Sequence, residues 1–200
     1  MMIRFMRESD YPQVLKIWQT CFGDEEGYVR FFWENCFPVC RGLCLEEGGE
    51  VASMLFLLPG GLRRKKVLLA AEYVYAVATL PEFRGRGYAA ALAREAERIA
   101  RGEGKSALCL RPADEGLYGY YAKLGYVKAF AKHERYDRYG RFEWSEPMRA
   151  YLQKEAALTD RGLSYSPAEN PGGMLLPLDK QAKTWLRKTK GRACLGPALE

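Results

Sequence analysis

The chain has 200 residues, 48% of them hydrophobic and 28% charged, with a formal net charge of +6. That size suits one domain or a domain with an appendage, and the composition excludes a disordered or fibrous chain. No window approaches the roughly eighteen uninterrupted apolar residues of a membrane span, and the arginines and acids of "MMIRFMRESD" break a signal-peptide core, so a cytoplasmic protein without membrane contact is expected.

In chain order, "IRFM" (3–6) predicts a short strand, and "ESD" supplies a cap for a helix in "YPQVLKIWQTCF", where Val14, Ile17, Trp18 and Cys21 share one stripe. "DEEGYVRFFWENCF" (24–37) predicts a second helix with an aromatic face of Phe31, Phe32 and Trp33. "GLCLEE" and "EVASMLFLLP" read as strands, and "RRKK" (63–66) as the solvated tip of a hairpin leading into "VLLAAEYVYAVATL". The sum is an antiparallel meander.

Residues 87–104 carry the clearest helix, with Leu92, Ala96 and Ile99 on one face, Arg94, Glu97, Arg98 and Arg101 on another, and Gly102 and Gly104 at its end. "SALCLRP" then predicts a strand, "GLYGYYAKL" a short helix closed by Gly125, and "YVKAFAKHERY" another strand. Past Tyr139 the pattern weakens. It suggests helices in 145–158 and in "DKQAKTWLRKTK", and strands in "MLLPL" and "ACLGPAL".

Six cysteines in a chain of this size, without a secretory signal, read as reduced thiols. Cys36, Cys40 and Cys44 recur every fourth residue, but no second cluster of cysteine or histidine completes a zinc set, so no metal is expected. Residues 1–50 hold five Lys/Arg against nine Asp/Glu, and residues 51–200 hold twenty-six against sixteen. The basic excess suits an anionic ligand, and nucleic acid is the less favoured partner.

Within that basic region, "ATLPEFRGRGYAAAL" joins a strand to a helix. Gly85 and Gly87 let main-chain N–H groups converge where the helix presents its positive end, Arg84 and Arg86 add charge, and the small Ala89 leaves room for a diphosphate. A plain strand-to-helix turn with solvated arginines has the same local pattern. A Walker loop would need Gly-Lys-Ser/Thr, and a dinucleotide fold would place its glycines after the first strand; neither fits.

The spacing Arg84, Gly87, Ala89 resembles the Q/R-x-x-G-x-G/A loop of the GNAT N-acetyltransferase superfamily, and "DEGLYGYYAKLGYV" resembles that family's last helix and turn, matching at Tyr121, Gly125 and Tyr126. Asp114 and Leu117 stand where the family usually has Asn and Ala. The resemblance implies an α/β (α+β) GNAT fold: a mixed, mostly antiparallel sheet of about six to seven strands with helices on both faces. It covers residues 1–130, with 131–200 as a C-terminal extension that completes the sheet or forms a partial second lobe.

It also implies acetyl-CoA as cosubstrate, with its pyrophosphate on the amides of 84–89 (Arg84, Gly85, Arg86, Gly87, Tyr88, Ala89) and a further contact at Asp114. Val77, Ala78 and Thr79 would line pantetheine on a strand edge splayed from "SALCLRP", with the Val77 N–H polarising the thioester carbonyl. Tyr121 matches the general acid. Tyr73 and Tyr75 would line the acceptor pocket, with a water chain relaying the amine proton. Glu72 falls on the opposite strand face from Val77 unless a bulge intervenes, which ranks it lower as a base. His133 would sit on an outer strand.

The expected activity is acetyl transfer to a primary amine by direct attack in a ternary complex, the acceptor being a small molecule or peptide. The alternative is a non-catalytic CoA-binding or regulatory domain, and a homodimer is an open partner state.

Overall fold

The structure is a computed structural model, and it describes residues 1–130, 139–159, 172–190 and 192–195. Among these residues the fold is mixed α/β, with six α-helices and an eight-stranded, mostly antiparallel sheet. The chain divides into two compact units, residues 1–58 with 73–99, and residues 59–72 with 100–200.

In the first unit, β1 (Met2–Phe5) pairs antiparallel with β2 (Arg41–Glu47), which pairs antiparallel with β3 (Glu50–Arg64). Strand β4 (Val67–Thr79) returns from the hairpin tip. Between β1 and β2 lie α1 (Tyr11–Phe22) and α2 (Glu26–Asn35). Helix α1 buries Val14, Ile17 and Trp18 at its predicted stripe, and Gly23 ends it in the left-handed conformation at φ 76°. The Trp18 ring lies 4.8 Å from Phe32, 5.6 Å from Phe56 and 6.0 Å from Tyr75, so one indole joins both helices to the sheet.

Two local expectations are corrected here. Asp10 precedes α1 but does not cap it: its carboxylate accepts from Arg4 Nη1 at 2.7 Å, Arg4 Nη2 at 2.9 Å and the Arg7 N–H at 2.7 Å. Phe31, Phe32 and Trp33 do not share a face, because consecutive helical residues point about 100° apart. Phe32 is fully buried with Val29, whereas Trp33 stacks on Phe37 with ring centroids 3.9 Å apart.

The second unit contains the distal hairpin, where Lys65 at φ 54° turns the exposed tip. Strand β5 (Ala107–Leu110) pairs antiparallel with β8 (Gly173–Pro177), which pairs antiparallel with β6 (Val127–Phe130). Helix α4 (Gly116–Lys123) precedes β6, while α5 (Glu146–Thr159) and α6 (Lys180–Thr189) follow. A strand the patterning did not single out, β7 (Arg141–Trp144), pairs antiparallel with Gly60–Arg63 of β3 and buries Phe142 and Trp144. "ACLGPAL" yields single parallel bridges at Ala193 and Cys194 rather than a strand, and its last residues, like His133, lie outside the described residues.

The predicted helix of 87–104 is α3 (Tyr88–Gly102), which buries Leu92, Ala93, Ala96 and Ala100; Ile99 is only half-buried. Cys36 ends α2, Cys40 follows a single helical turn at Phe37–Val39, and Cys44 lies in β2 with its thiol directed at Arg4 O. Burial raises the Cys44 thiol to about 11 and the Cys109 thiol well above its ordinary value.

Candidate functional site

The site in the first unit starts at an irregularity in β4. Ala76 adopts φ 48°, in the left-handed region that costs a residue bearing a Cβ on the order of 1 kcal/mol. The alternation of the strand is therefore broken between Tyr75 and Val77, and strict parity no longer assigns Glu72 and Val77 to opposite faces. No composition cue marks the position, because alanine is a poor left-handed residue.

The end of β4 is pinned from three sides. Ser53 Oγ donates to Ala78 O at 2.7 Å and, with its one proton committed, accepts from Thr79 Oγ1 at 2.8 Å. Leu80 N donates to Ala52 O at 3.0 Å. The Thr79 carbonyl accepts from Arg84 Nε at 3.1 Å and from Cys21 Sγ at 3.5 Å, and Arg84 Nη2 lies 3.8 Å from the same sulfur. Arg84 thus ties the start of the loop to the strand end and to α1.

A single tight turn at Pro81–Phe83 follows, in which the Arg84 N–H donates to Pro81 O at 3.2 Å. Gly85 and Gly87 then take φ 77° and 78°, and a Cβ built on either would meet nothing within 4 Å. These angles favour glycine strongly, and the open space lets a ligand reach the main chain. Helix α3 begins with Ala91 N donating to Gly87 O at 2.9 Å. Among the described residues, no hydrogen bond takes up the main-chain N–H groups of residues 87–90. Four orphan donors at the positive end of a fifteen-residue helix form an anion cradle.

The two arginines play unequal parts. Arg86 Nη1 lies 3.1 Å from Glu47 Oε2, its Nη2 donates to Glu82 O at 3.3 Å, and its guanidinium sits 5.2 Å from the Phe83 ring centre. The Tyr88 hydroxyl donates to the same Glu47 oxygen. Part of the expected positive charge is therefore balanced by a carboxylate that the loop motif does not contain. Cys21, Glu47 and Ser53 escaped sequence reasoning. Only Ser53, a lone hydroxyl within an apolar strand, carried a visible signal.

Of the expected pocket residues in this unit, Tyr73 is buried, and the Tyr75 hydroxyl lies 3.2 Å from that of Tyr28. Phe32 lies 5.6 Å from the Tyr75 ring. The second unit holds the rest. Glu72 is 2% exposed, with Lys105 Nζ 3.8 Å from its Oε1. Asp114 Oδ1 accepts from the Leu117 N–H at 3.1 Å, which commits that oxygen to the start of α4.

Tyr121 is buried on α4, with Tyr120 and Tyr126 packed edge-on at 5.1 and 5.7 Å. Gly125 at φ 90° closes the helix, and Tyr126 N donates back to Tyr121 O at 3.1 Å. The neighbouring Tyr118 donates its hydroxyl to Gly172 O at 3.1 Å, and burial holds that phenol above its ordinary value.

Residues 2–129 match a family model described as an acetyltransferase (GNAT) domain. Among solved structures, the chain is similar to a GNAT family N-acetyltransferase (YhbS) from Escherichia coli in complex with CoA. The TM-score is 0.60 at 15% identity, covering 97% of this chain and 87% of that one. It is also similar to a protein from Enterococcus faecalis V583 described as a probable N-acyltransferase, with TM-score 0.59 and 18% identity, covering 64% of this chain and 33% of that one. A GCN5-related N-acetyltransferase from Kribbella flavida gives TM-score 0.52 and 24% identity, covering 62% and 33%. The chain thus spans about a third of the length of the last two, and identities this low express a shared fold.

Proposed function

Because the chain belongs to the GNAT acetyltransferase family, whose domain model matches residues 2–129, we propose that it moves an acetyl group from acetyl-CoA to a primary amine. The observation that carries this reading is the cradle at 87–90: four N–H groups without partners among the described residues, opened by glycines at φ 77° and 78°. Such a cradle suits a pyrophosphate, since each donor would gain a charge-assisted bond. The Arg84 amide is already engaged by Pro81, so Arg84 contributes by holding the loop, and Gly87 to Ala90 supply the amides. In this reading Arg86 remains at the rim, Val77, Ala78 and Thr79 line pantetheine, and Asp114 orders the start of α4.

Acetyl-CoA supplies an activated thioester to the reaction. The amine must arrive neutral, although an alkylammonium has a pKa of about 10.4, and a thiolate of pKa about 8.5 must leave with a proton. In the proposed step the amine nitrogen bonds to the carbonyl carbon, the carbon–sulfur bond breaks, Tyr121 gives its phenolic proton to the sulfur, and the nitrogen sheds one proton to water. The left-handed Ala76 supports the Val77 N–H as the donor to the carbonyl oxygen, because a φ of 48° turns the main chain off the extended course of the strand just before that group. Tyr73 and Tyr75 are assigned to the acceptor wall; the ion pair of Glu72 with Lys105 supports a structural part for that carboxylate.

Free-CoA release in a panel of primary amines tests this. Release should require an added amine, and Tyr121→Phe should lower kcat by about a hundredfold, the low end for general acid catalysis. An unchanged kcat in that variant removes Tyr121 from the acid role. Acetyl-CoA binding with no release for any amine favours the non-catalytic, CoA-binding reading.

A further inference from the structure

The "RRKK" segment is not spent uniformly. Arg63 Nε pairs with Glu143 Oε2 at 2.5 Å across the β3–β7 ladder, and Lys65 and Lys66 are exposed at the hairpin tip. Arg64 instead lines a cavity of about 340 Å³ in the second unit, together with Val67 and Leu69 of β4 and Lys180, Trp185 and Lys188 of α6. This volume lies at the small end of the range for ligand sites, roughly 300 to 1,000 Å³.

Among the described residues the lining combines three cations with Gln181, Thr184 and an apolar floor, and no Asp or Glu takes part in it. The acid nearest in sequence, Asp179, is committed elsewhere: its Oδ1 accepts from Ala182 N and its Oδ2 from Ser106 Oγ, both at 2.7 Å. Among the described residues, Arg64 Nε and Trp185 Nε1 are buried donors with no hydrogen-bond partner, and Trp185 is only 3% exposed. Buried donors are ordinarily satisfied, so two orphans on residues of one cavity wall mark a place short of acceptors, and the three cations of the lining supply the charge that would draw one in. Helix α6 brings its cations here by periodicity, because Lys180, Thr184 and Lys188 recur every fourth residue along one stripe, with Trp185 beside it.

We propose that this cavity binds a small organic anion, a carboxylate on an apolar or aromatic body. Arg64, Lys180 and Lys188 hold the carboxylate, and Val67, Leu69 and Trp185 cover the body. A guanidinium fork matches a carboxylate, and a neutral amide of the same shape would forfeit the charge-assisted bonds. None of these residues belongs to the acetyl-CoA cradle, so the proposal stands whether or not acetyl transfer does.

Isothermal titration of the full chain with 3-phenylpropanoate tests it, with 3-phenylpropanamide and inorganic phosphate as comparisons. One equivalent of the carboxylate should bind saturably. The amide should bind at least tenfold more weakly, and inorganic phosphate should not compete. Lys188→Glu, on an exposed position, and Arg64→Gln should each weaken the carboxylate at least tenfold, while Gly87→Trp should leave it unchanged. No saturable binding, equal binding of the amide, competition by phosphate or full affinity in Lys188→Glu would each overturn the proposal. Loss of binding in Gly87→Trp would also overturn it, by moving the anion to the loop before α3.

Discussion

A main-chain carbonyl that accepts from both an arginine and a thiol is a fixed point, and Thr79 O is the one from which the loop hangs. Arg84 is exposed, so replacing it should cost little stability, while freeing the loop should loosen the cradle. Arg84→Ala is expected to raise KM for acetyl-CoA about tenfold with a melting temperature within a few degrees of the parent, as steady-state kinetics and a thermal melt would show. Ala76 offers a second test at this scale. Ala76→Gly should stabilise by up to about 1 kcal/mol and Ala76→Val should destabilise by more than that in urea unfolding, because only a residue without a Cβ accepts φ 48° freely. Glycine and arginine at 84–87 announced themselves in the sequence, but their partners did not: Cys21 and Glu47 come from distant elements, and no local pattern links them to the loop.

At the scale of elements, the join of β1 to α1 depends on one buried carboxylate. Asp10 is 4% exposed and takes a two-pronged bond from Arg4, whose guanidinium also reaches Glu46 at 2.9 Å. The hydrogen bonds from Arg4 are the largest cause holding the Asp10 carboxyl below its ordinary value of 3.8. A carboxyl depressed in the folded state stabilises at and above its unfolded pKa, and that contribution is lost as pH falls through the folded value. Stability from this pair should therefore be constant at neutral pH and fade below about pH 4, whereas Asp10→Asn should lose about 2 to 3 kcal/mol at pH 7 and show a flatter acid limb in pH-dependent unfolding. At α6 the cap is conventional: Asp179→Ala removes the acceptor for Ala182 N and Ser106 Oγ and should cost about 1 to 2 kcal/mol by chemical denaturation. Helices were the most legible elements, because α1, α3 and α6 carry apolar stripes over ten or more residues. Strand β7 was not, since its partner segment on β3 lies 80 residues away in sequence, and its Arg141 and Glu143 show their purpose only beside Arg63.

For the whole molecule, the family was legible from two short motifs in the right order, because the loop before α3 and a tight helix exit each demand glycine at fixed positions: Gly85 and Gly87 at φ 77° and 78°, and Gly125 at φ 90°. The eight-stranded, mostly antiparallel sheet follows from the meander and from strands that pair far along the chain, such as β5 with β8. What would select an acceptor is not written in such patterns, since an acceptor pocket is a matter of side-chain volume and shape. The proposed function stands or falls on whether the start of α3 holds the pyrophosphate of acetyl-CoA. Amide NMR of the full chain during an acetyl-CoA titration tests it most directly. The N–H resonances of Gly87, Tyr88, Ala89 and Ala90 should shift together and saturate, and Gly87→Trp should abolish the shifts; four resonances unmoved at saturating acetyl-CoA would rule out pyrophosphate binding there.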